Sequence, residues 1–274
     1  MNITQNSPKH FIDLSDFNLQ TLRLILDNAR NMKNQIKNSD NFREEQVKIL
    51  PHKILAMIFE KSSTRTRISF ESAITHLGGS AIVMNKSDTQ LDKGETIEDS
   101  AKVMSRMVDA VMIRCYQHQT LLDFAKSATI PVINGLSNFS HPCQIMASIM
   151  AIEERLGDIG NLTLAWFGDA NNVLNSYIQG AVIFGYNLRI AKPNKYNFCD
   201  EEISLAISKG AKIIVSDNPN EMAKNADILI TDTWFSMGDG SDENEIHKQE
   251  KLALLMPYQI NQNLMKLELH MNTD

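Results

Sequence analysis

Eight short, mostly apolar runs alternate with segments of helical periodicity, and no other feature of the chain narrows its fold as far. The runs cover residues 54–59 (ILAMIF), 81–84, 110–114 (AVMIR), 131–134, 162–167, 188–191, 212–215 and 228–231. A strand that is apolar on both sides needs cover on both faces, and strands separated by helices form parallel sheets. Leu19, Leu22, Ile25, Leu26 and Ala29 recur at helical spacing behind Ser15, which reads as an N-cap; the polar run 31–46 reads as the end of that helix. Further helices are predicted at 66–77, stopped by Gly78-Gly79, and at 97–108, 121–127, 143–156, 173–184, 201–208 and 221–225. The expected fold is α/β with two domains, each a parallel sheet flanked by helices. The helix at 143–157 joins them, which gives domains at 1–145 and 146–274. The acidic, polar stretch 239–250 reads as a mobile loop leading into a helix.

A length of 274 residues suits two such domains without disulfide or metal staples. The net charge is 27 − 33 = −6 and the pI is about 5.7. That balance argues against broad binding of nucleic acid or anionic membranes, so an anionic ligand would need a local cluster of positive charge. Cys115, Cys143 and Cys199 are far apart and fit no metal-ligand spacing, so reduced thiols and no metal are expected. The opening MNITQNSPKHF has no apolar signal core, and no stretch approaches the roughly 18 apolar residues of a membrane helix. A cytoplasmic protein without membrane contact is expected.

In parallel α/β sheets, ligands sit where strands end and loops lead into helices. Five such loops carry polar groups. EKSSTRTR at 60–67 enters a helix whose free N–H groups and positive dipole end favour an anion. Ser63, Thr64 and Thr66 add hydroxyls, and Arg65 and Arg67 add fixed charge suited to phosphate. The GxxxxGK[ST] loop of nucleotide-binding proteins is absent. Arg114 ends the run AVMIR, either as a ligand group or as the point where a strand meets solvent. His141 and Gln144 lie in HPCQ; the imidazole can polarise a carbonyl or move a proton, or can simply cap the helix. GDANN at 168–172 lacks GxGxxG and reads as a tight turn whose amides also suit an amino-acid-like ligand. Asp232, which opens DTWFSMG, can pair with an amine or cap a turn. Together the five loops argue for a cleft between two domains.

STRTR at 63–67, HPCQ at 141–144 and DTWFSMG at 232–238, in this order and spacing, resemble the aspartate/ornithine carbamoyltransferase family. GDANN and the SMG loop are similar to its ornithine-using members. The resemblance covers nearly the whole chain. It implies transfer of the carbamoyl group of carbamoyl phosphate to the side-chain amine of L-ornithine, giving L-citrulline and phosphate, with no cofactor. Ser63, Thr64, Arg65, Thr66, Gln90, Arg114, His141 and Gln144 match positions that hold carbamoyl phosphate, Gln90 being lent by a neighbouring subunit of a trimer. Arg65, Thr66, Arg114 and His141 match the catalytic groups, and Asn172, Asp232, Ser236 and Met237 the ornithine-binding positions. One departure is expected to matter. The family carries an HCLP motif and closing helices after the stretch that here reads LMKLELHMNTD, so the second domain reads as incomplete at its C-terminus. Two alternatives follow: an impaired form that binds carbamoyl phosphate without turnover, or a carbamoyltransferase for another amine, such as putrescine or an acetylated ornithine.

Overall fold

The computed structural model describes residues 10–38, 49–89, 94–195, 198–235 and 245–268. The chain divides into two units between Met146 and Ala147.

In the first unit, β1 (Ile54–Phe59), β2 (Ser80–Asn85), β3 (Ala110–Arg114) and β4 (Val132–Leu136) form one parallel sheet in the order β2-β1-β3-β4. The apolar continuity of β1 has a direct cause. Leu55, Met57 and Phe59 pack with Ile74 of α2 (Thr64–His76), while Ala56 and Ile58 point the other way. That other face meets Ala101 of α3 (Ile97–Met104) and Leu121 and Phe124 of α4 (His118–Ser127). Each large side chain so buried contributes about 1.5–3 kcal/mol.

The opening helix, α1 (Leu19–Asn38), departs from expectation at both ends. Its cap is Asn18, whose Oδ1 accepts the Thr21 N–H at 2.9 Å. Ser15 instead lies in a 3-10 turn, Leu14–Asp16, closed by the Asp13 N–H donating to the Asp16 carboxylate at 3.1 Å. The helix also continues through the polar residues after Asn31, because lysine, glutamine and methionine are good helix formers and polarity alone does not stop a helix.

In the second unit, β5 (Thr163–Phe167), β6 (Asn187–Ala191), β7 (Ile213–Ser216) and β8 (Ile228–Thr231) form a second parallel sheet, ordered β7-β6-β5-β8. The helix α5 (Pro142–Leu156) leads into this unit, and α6 (Asn172–Phe184) follows β5. Trp166 meets Tyr177 of α6 with ring centroids 5.9 Å apart. The opposite face buries Ala165 and Phe167 against Met222 and Ala223 of α8 (Pro219–Ala223). The helices α7 (Asp200–Ser208) and α9 (Glu245–Leu255) lie where sequence placed helices, α9 occupying the end of the stretch 239–250. A further helix, α10 (Gln262–Glu268), has no apolar period to announce it; Asn261 caps it through the N–H groups of Asn263 and Leu264, and Leu264 enters the core.

Both sheets reverse direction internally. The chain steps from β1 to β2 on one side and resumes at β3 on the other; in the second unit it steps from β5 through β6 to β7 and resumes at β8. Such reversal points open a crevice at the carboxyl ends of the two flanking strands. Phe59 pairs with Arg114, and Phe167 with Thr231, so the loops after β1 and β3, and after β5 and β8, begin side by side.

Candidate active site

The loop after β1 ends at Ser63, which caps α2. Its Oγ accepts the Thr66 N–H at 3.3 Å and lies 2.9 Å from the Thr66 hydroxyl. Thr64 and Arg65 fill the first turn, where unpaired N–H groups favour an anion. Arg114, the last residue of β3, is 8% exposed. Its guanidinium reaches the Thr66 hydroxyl at 3.4 Å and the Gly135 carbonyl at 3.5 Å. Its Nε is buried and has no hydrogen-bond partner among the described residues. Burial, and then the nearby charge of Arg65, press Arg114 toward its neutral form. A buried cation beside a second cation is costly, and an anion would relieve that cost.

His141 stands immediately before α5. Burial, and then the charge of Arg114, lower its pKa to about 4, so the imidazole is neutral at neutral pH. It can then donate one N–H and accept at the other nitrogen. An unfolded histidine takes up its proton near pH 6.5, so between about 6.5 and 4 the unfolded state holds the extra proton. Stability from this residue is complete above that window and falls by about 3 kcal/mol as pH drops through it. Denaturation of the parent and of His141→Asn at pH 7.5 and pH 5.0 checks this: the parent should lose about 2 kcal/mol more than the variant. Equal losses would exclude a neutral buried His141.

The loop before His141 is tightly held. A register shift separates Asn134 from Leu136 opposite the end of β3, and Leu136 has φ 152°, a region that L side chains rarely enter. Asn134 is fully buried; its amide donates to the Ile12 carbonyl at 2.9 Å and the Ser140 hydroxyl at 3.0 Å, and its Oδ1 accepts the Leu136 N–H at 2.9 Å. Gln144 lies in the first turn of α5, its N–H bonded to the His141 carbonyl at 3.2 Å. Burial pushes the Cys143 thiol up to about 12, so it is not a thiolate at neutral pH. Glu60 was not singled out by sequence. Its carboxylate accepts the Tyr116 N–H at 2.9 Å, and its own N–H donates to the Arg114 carbonyl at 2.9 Å, tying the loops after β1 and β3 together.

The second cluster lies wholly in the second unit. Asn171 caps α6, accepting the N–H groups of Val173 at 3.0 Å and Leu174 at 3.1 Å. Its amide also donates to the Asp232 carboxylate at 3.0 Å. Asn171 is therefore the residue that orients Asp232, while Asn172 opens the helix beside it. Gly168 has φ 109°, and a Cβ there would lie 2.8 Å from the Trp234 indole nitrogen, so only glycine permits this approach. Lys251 of α9 pairs with Asp169 at 3.0 Å and lies over the Phe235 ring at 5.7 Å. Gln90, Ser236 and Met237 lie outside the described residues. Among the described residues there is no group of three or more His, Cys, Asp or Glu that could hold a metal ion. No described helix is long and apolar enough to cross a membrane.

Two family models match the chain in succession. Residues 9–154 match the carbamoyl-P binding domain of aspartate/ornithine carbamoyltransferase, and residues 160–272 match its Asp/Orn binding domain. The chain belongs to the aspartate/ornithine carbamoyltransferase family. It is 46% identical over 260 residues to an ornithine carbamoyltransferase of Caulobacter vibrioides, covering 95% of this chain and 82% of that protein. The solved ornithine carbamoyltransferase of Pyrococcus furiosus matches with a TM-score of 0.87 and 38% identity, over 96% of this chain and 82% of the other. The anabolic ornithine carbamoyltransferase of Campylobacter jejuni gives 0.83 and 38%, over 94% and 82%. In this aspartate/ornithine carbamoyltransferase chain, the cluster around Arg114 falls in the stretch that matches the carbamoyl-P binding domain, and the Asn171–Asp232 pair in the stretch that matches the Asp/Orn binding domain.

Proposed function

We propose that this chain transfers the carbamoyl group of carbamoyl phosphate to the side-chain amine of L-ornithine, releasing L-citrulline and phosphate. The observation that carries the phosphate half of this reading is the buried Arg114 guanidinium, with its unpartnered Nε, beside Thr66 and the α2 N-terminus. Ser63, Thr64, Arg65 and Thr66 hold the phosphate. Thr66, Arg114 and neutral His141 stabilise the negative charge that builds on the carbamoyl oxygen, and Gln144 holds the carbamoyl amide. The unprotonated ornithine nitrogen forms a bond to the carbamoyl carbon and loses a proton, as the bond from that carbon to the phosphate oxygen breaks. The transfer changes no oxidation state, so no redox cofactor is proposed.

The assignment of ornithine as acceptor rests on the relatives at 46% and 38% identity, which bear that name. Asp232, oriented by Asn171, pairs with an ornithine ammonium, with Asn172, Ser236 and Met237 completing that subsite. The carbamoyl phosphate-binding and ornithine-binding domains are assigned to 1–145 and 146–274. A cytoplasmic homotrimer, with Gln90 supplied by a neighbouring subunit, completes the reading; equilibrium sedimentation measures the trimer.

The test is citrulline formation by the 274-residue chain, saturable in both substrates. Putrescine and N-acetylornithine should react at under about one hundredth of the ornithine rate, since each lacks a group the subsite recognises. Binding of carbamoyl phosphate without citrulline formation would replace transfer with binding alone. A higher kcat/KM for putrescine would reassign the acceptor.

A further inference from the structure

We infer that His118 is a positioning residue for the loop that delivers His141, acting through an Asp13–His118–Ser137 chain of hydrogen bonds. The inference rests on the proposed carbamoyl transfer. His118 opens α4, outside every motif described above. Its Nδ1 lies 2.8 Å from the Ser137 hydroxyl and its Nε2 lies 3.0 Å from the Asp13 carboxylate. The His118 and Asp13 side chains are only 14% and 11% exposed, and Ser137 is fully buried.

The proton positions follow from the neighbours. The Ser137 oxygen accepts the N–H groups of Phe139 at 3.3 Å and Ser140 at 3.2 Å. With both lone pairs engaged, its hydroxyl proton points to Nδ1, so Nε2 carries the ring proton and donates it to Asp13. These are the residue types of a nucleophilic triad, but Ser137 has no exposed surface through which a substrate could reach it. The chain of bonds holds the loop instead.

Every residue of 137–140 is tied into this arrangement. The His118 backbone N–H donates to the Asn138 side-chain oxygen at 2.9 Å, and its ring packs on Phe139 at 4.9 Å. The Ser137 N–H donates to the Ser140 carbonyl at 3.0 Å, closing the turn. His141 is the next residue. Its imidazole therefore takes its position from a loop anchored to the start of α4 and to the segment before α1. A displacement on the order of 1 Å at a reacting group lowers a rate about 100-fold.

The test compares His118→Leu, His118→Asn and the parent chain. Leucine removes both ring contacts, whereas asparagine can place an acceptor close to the position of Nδ1. H118L should lower kcat by about 30- to 100-fold and weaken carbamoyl phosphate binding about 10-fold, leaving the KM for ornithine within about 2-fold. H118N should recover at least about 10-fold of the lost kcat. Losses of equal size in H118L and H118N, or changes under about 3-fold in H118L, overturn the inference. If H118L does not fold, H118N is compared with His118→Gln, which keeps a donor toward Asp13 but lacks the Nδ1 acceptor; H118Q must be the slower of the two. A parent chain that forms no citrulline overturns the proposed transfer alone. The same comparison is then read on the dissociation constant for carbamoyl phosphate, and equal constants in parent and H118L overturn the positioning role.

Discussion

Arg114→Leu should lower kcat/KM for carbamoyl phosphate by at least about 10³-fold while raising, or leaving unchanged, the temperature at which the chain unfolds. The two effects have one origin. Arg114 is 8% exposed, its Nε has no partner among the described residues, and Arg65 adds like charge nearby. The long contacts to the Thr66 hydroxyl and the Gly135 carbonyl offset only part of the cost of burying this cation, and replacing such a group with an apolar one is neutral or stabilising by about 1–4 kcal/mol. With a phosphate bound, the same cation gains the anion that its surroundings lack. The group that is hardest to hold is therefore the group that contributes most to binding and to the stabilised oxyanion. Arg114→Lys separates charge from shape: lysine keeps the charge but lacks the planar fork, and should retain only about one hundredth of the activity. Steady-state kinetics and calorimetric unfolding of the two variants decide the matter. An R114L chain that unfolds at lower temperature yet keeps a tenth of its activity would make Arg114 a structural residue.

Asp232→Asn should lower kcat/KM for ornithine about 100-fold and leave the dissociation constant for carbamoyl phosphate unchanged. Asp232 follows β8, at the reversal point of the second sheet, and accepts the Asn171 amide at 3.0 Å. Asparagine at 232 can accept the same amide hydrogen, so the loop keeps its shape and only the charge is removed. A charge-assisted bond to an ammonium contributes about 1.5–3 kcal/mol, which corresponds to about 10- to 100-fold. Asn171→Ala removes the amide but also uncaps α6, so it should reduce stability by about 1 kcal/mol as well as activity. An ornithine titration that saturates equally in parent and D232N would place the ammonium elsewhere.

The lie of the eight strands was readable because each is a short, mostly apolar run between helical segments, and the central strands β1, β3 and β5 are buried on both faces. Burial of both faces is a local property of composition, as in Leu55, Met57 and Phe59 against Ala56 and Ile58. Helix ends were less readable. Nothing near Ser15 indicated that Asp13 and Asp16 would close a separate turn and leave the cap to Asn18. Polar residues after Asn31 looked like a stop although their helix propensity is good. α10 escaped notice because a seven-residue helix with one buried leucine carries no measurable period.

The candidate site divides in the same way. Ser63, Thr64, Arg65 and Thr66 were visible because a helix N-terminus with hydroxyls and arginines is an anion site within a few residues of chain. Glu60 and His118 were not, and neither was the bond from Asn171, one of the GDANN amides, to Asp232, because each acts on a distant partner. The available signals were weak: a glutamate at the head of STRTR, a histidine opening a helix, and the first of two adjacent asparagines.

By itself, the sequence determined the parallel α/β architecture, the positions of the loops that carry chemistry, and the family to which their motifs point. These follow from local pattern, since periodicity, capping chemistry and motif order are all written along the chain. Only the tertiary structure decided that Arg114 is buried beside Thr66, 48 residues away, and that Asn171 orients Asp232 across 61 residues. It also decided that His118 joins Asp13 to Ser137. The physical reason is that desolvation and hydrogen-bond geometry depend on which strands lie side by side, and parallel strands are brought together by crossovers whose endpoints local composition does not specify.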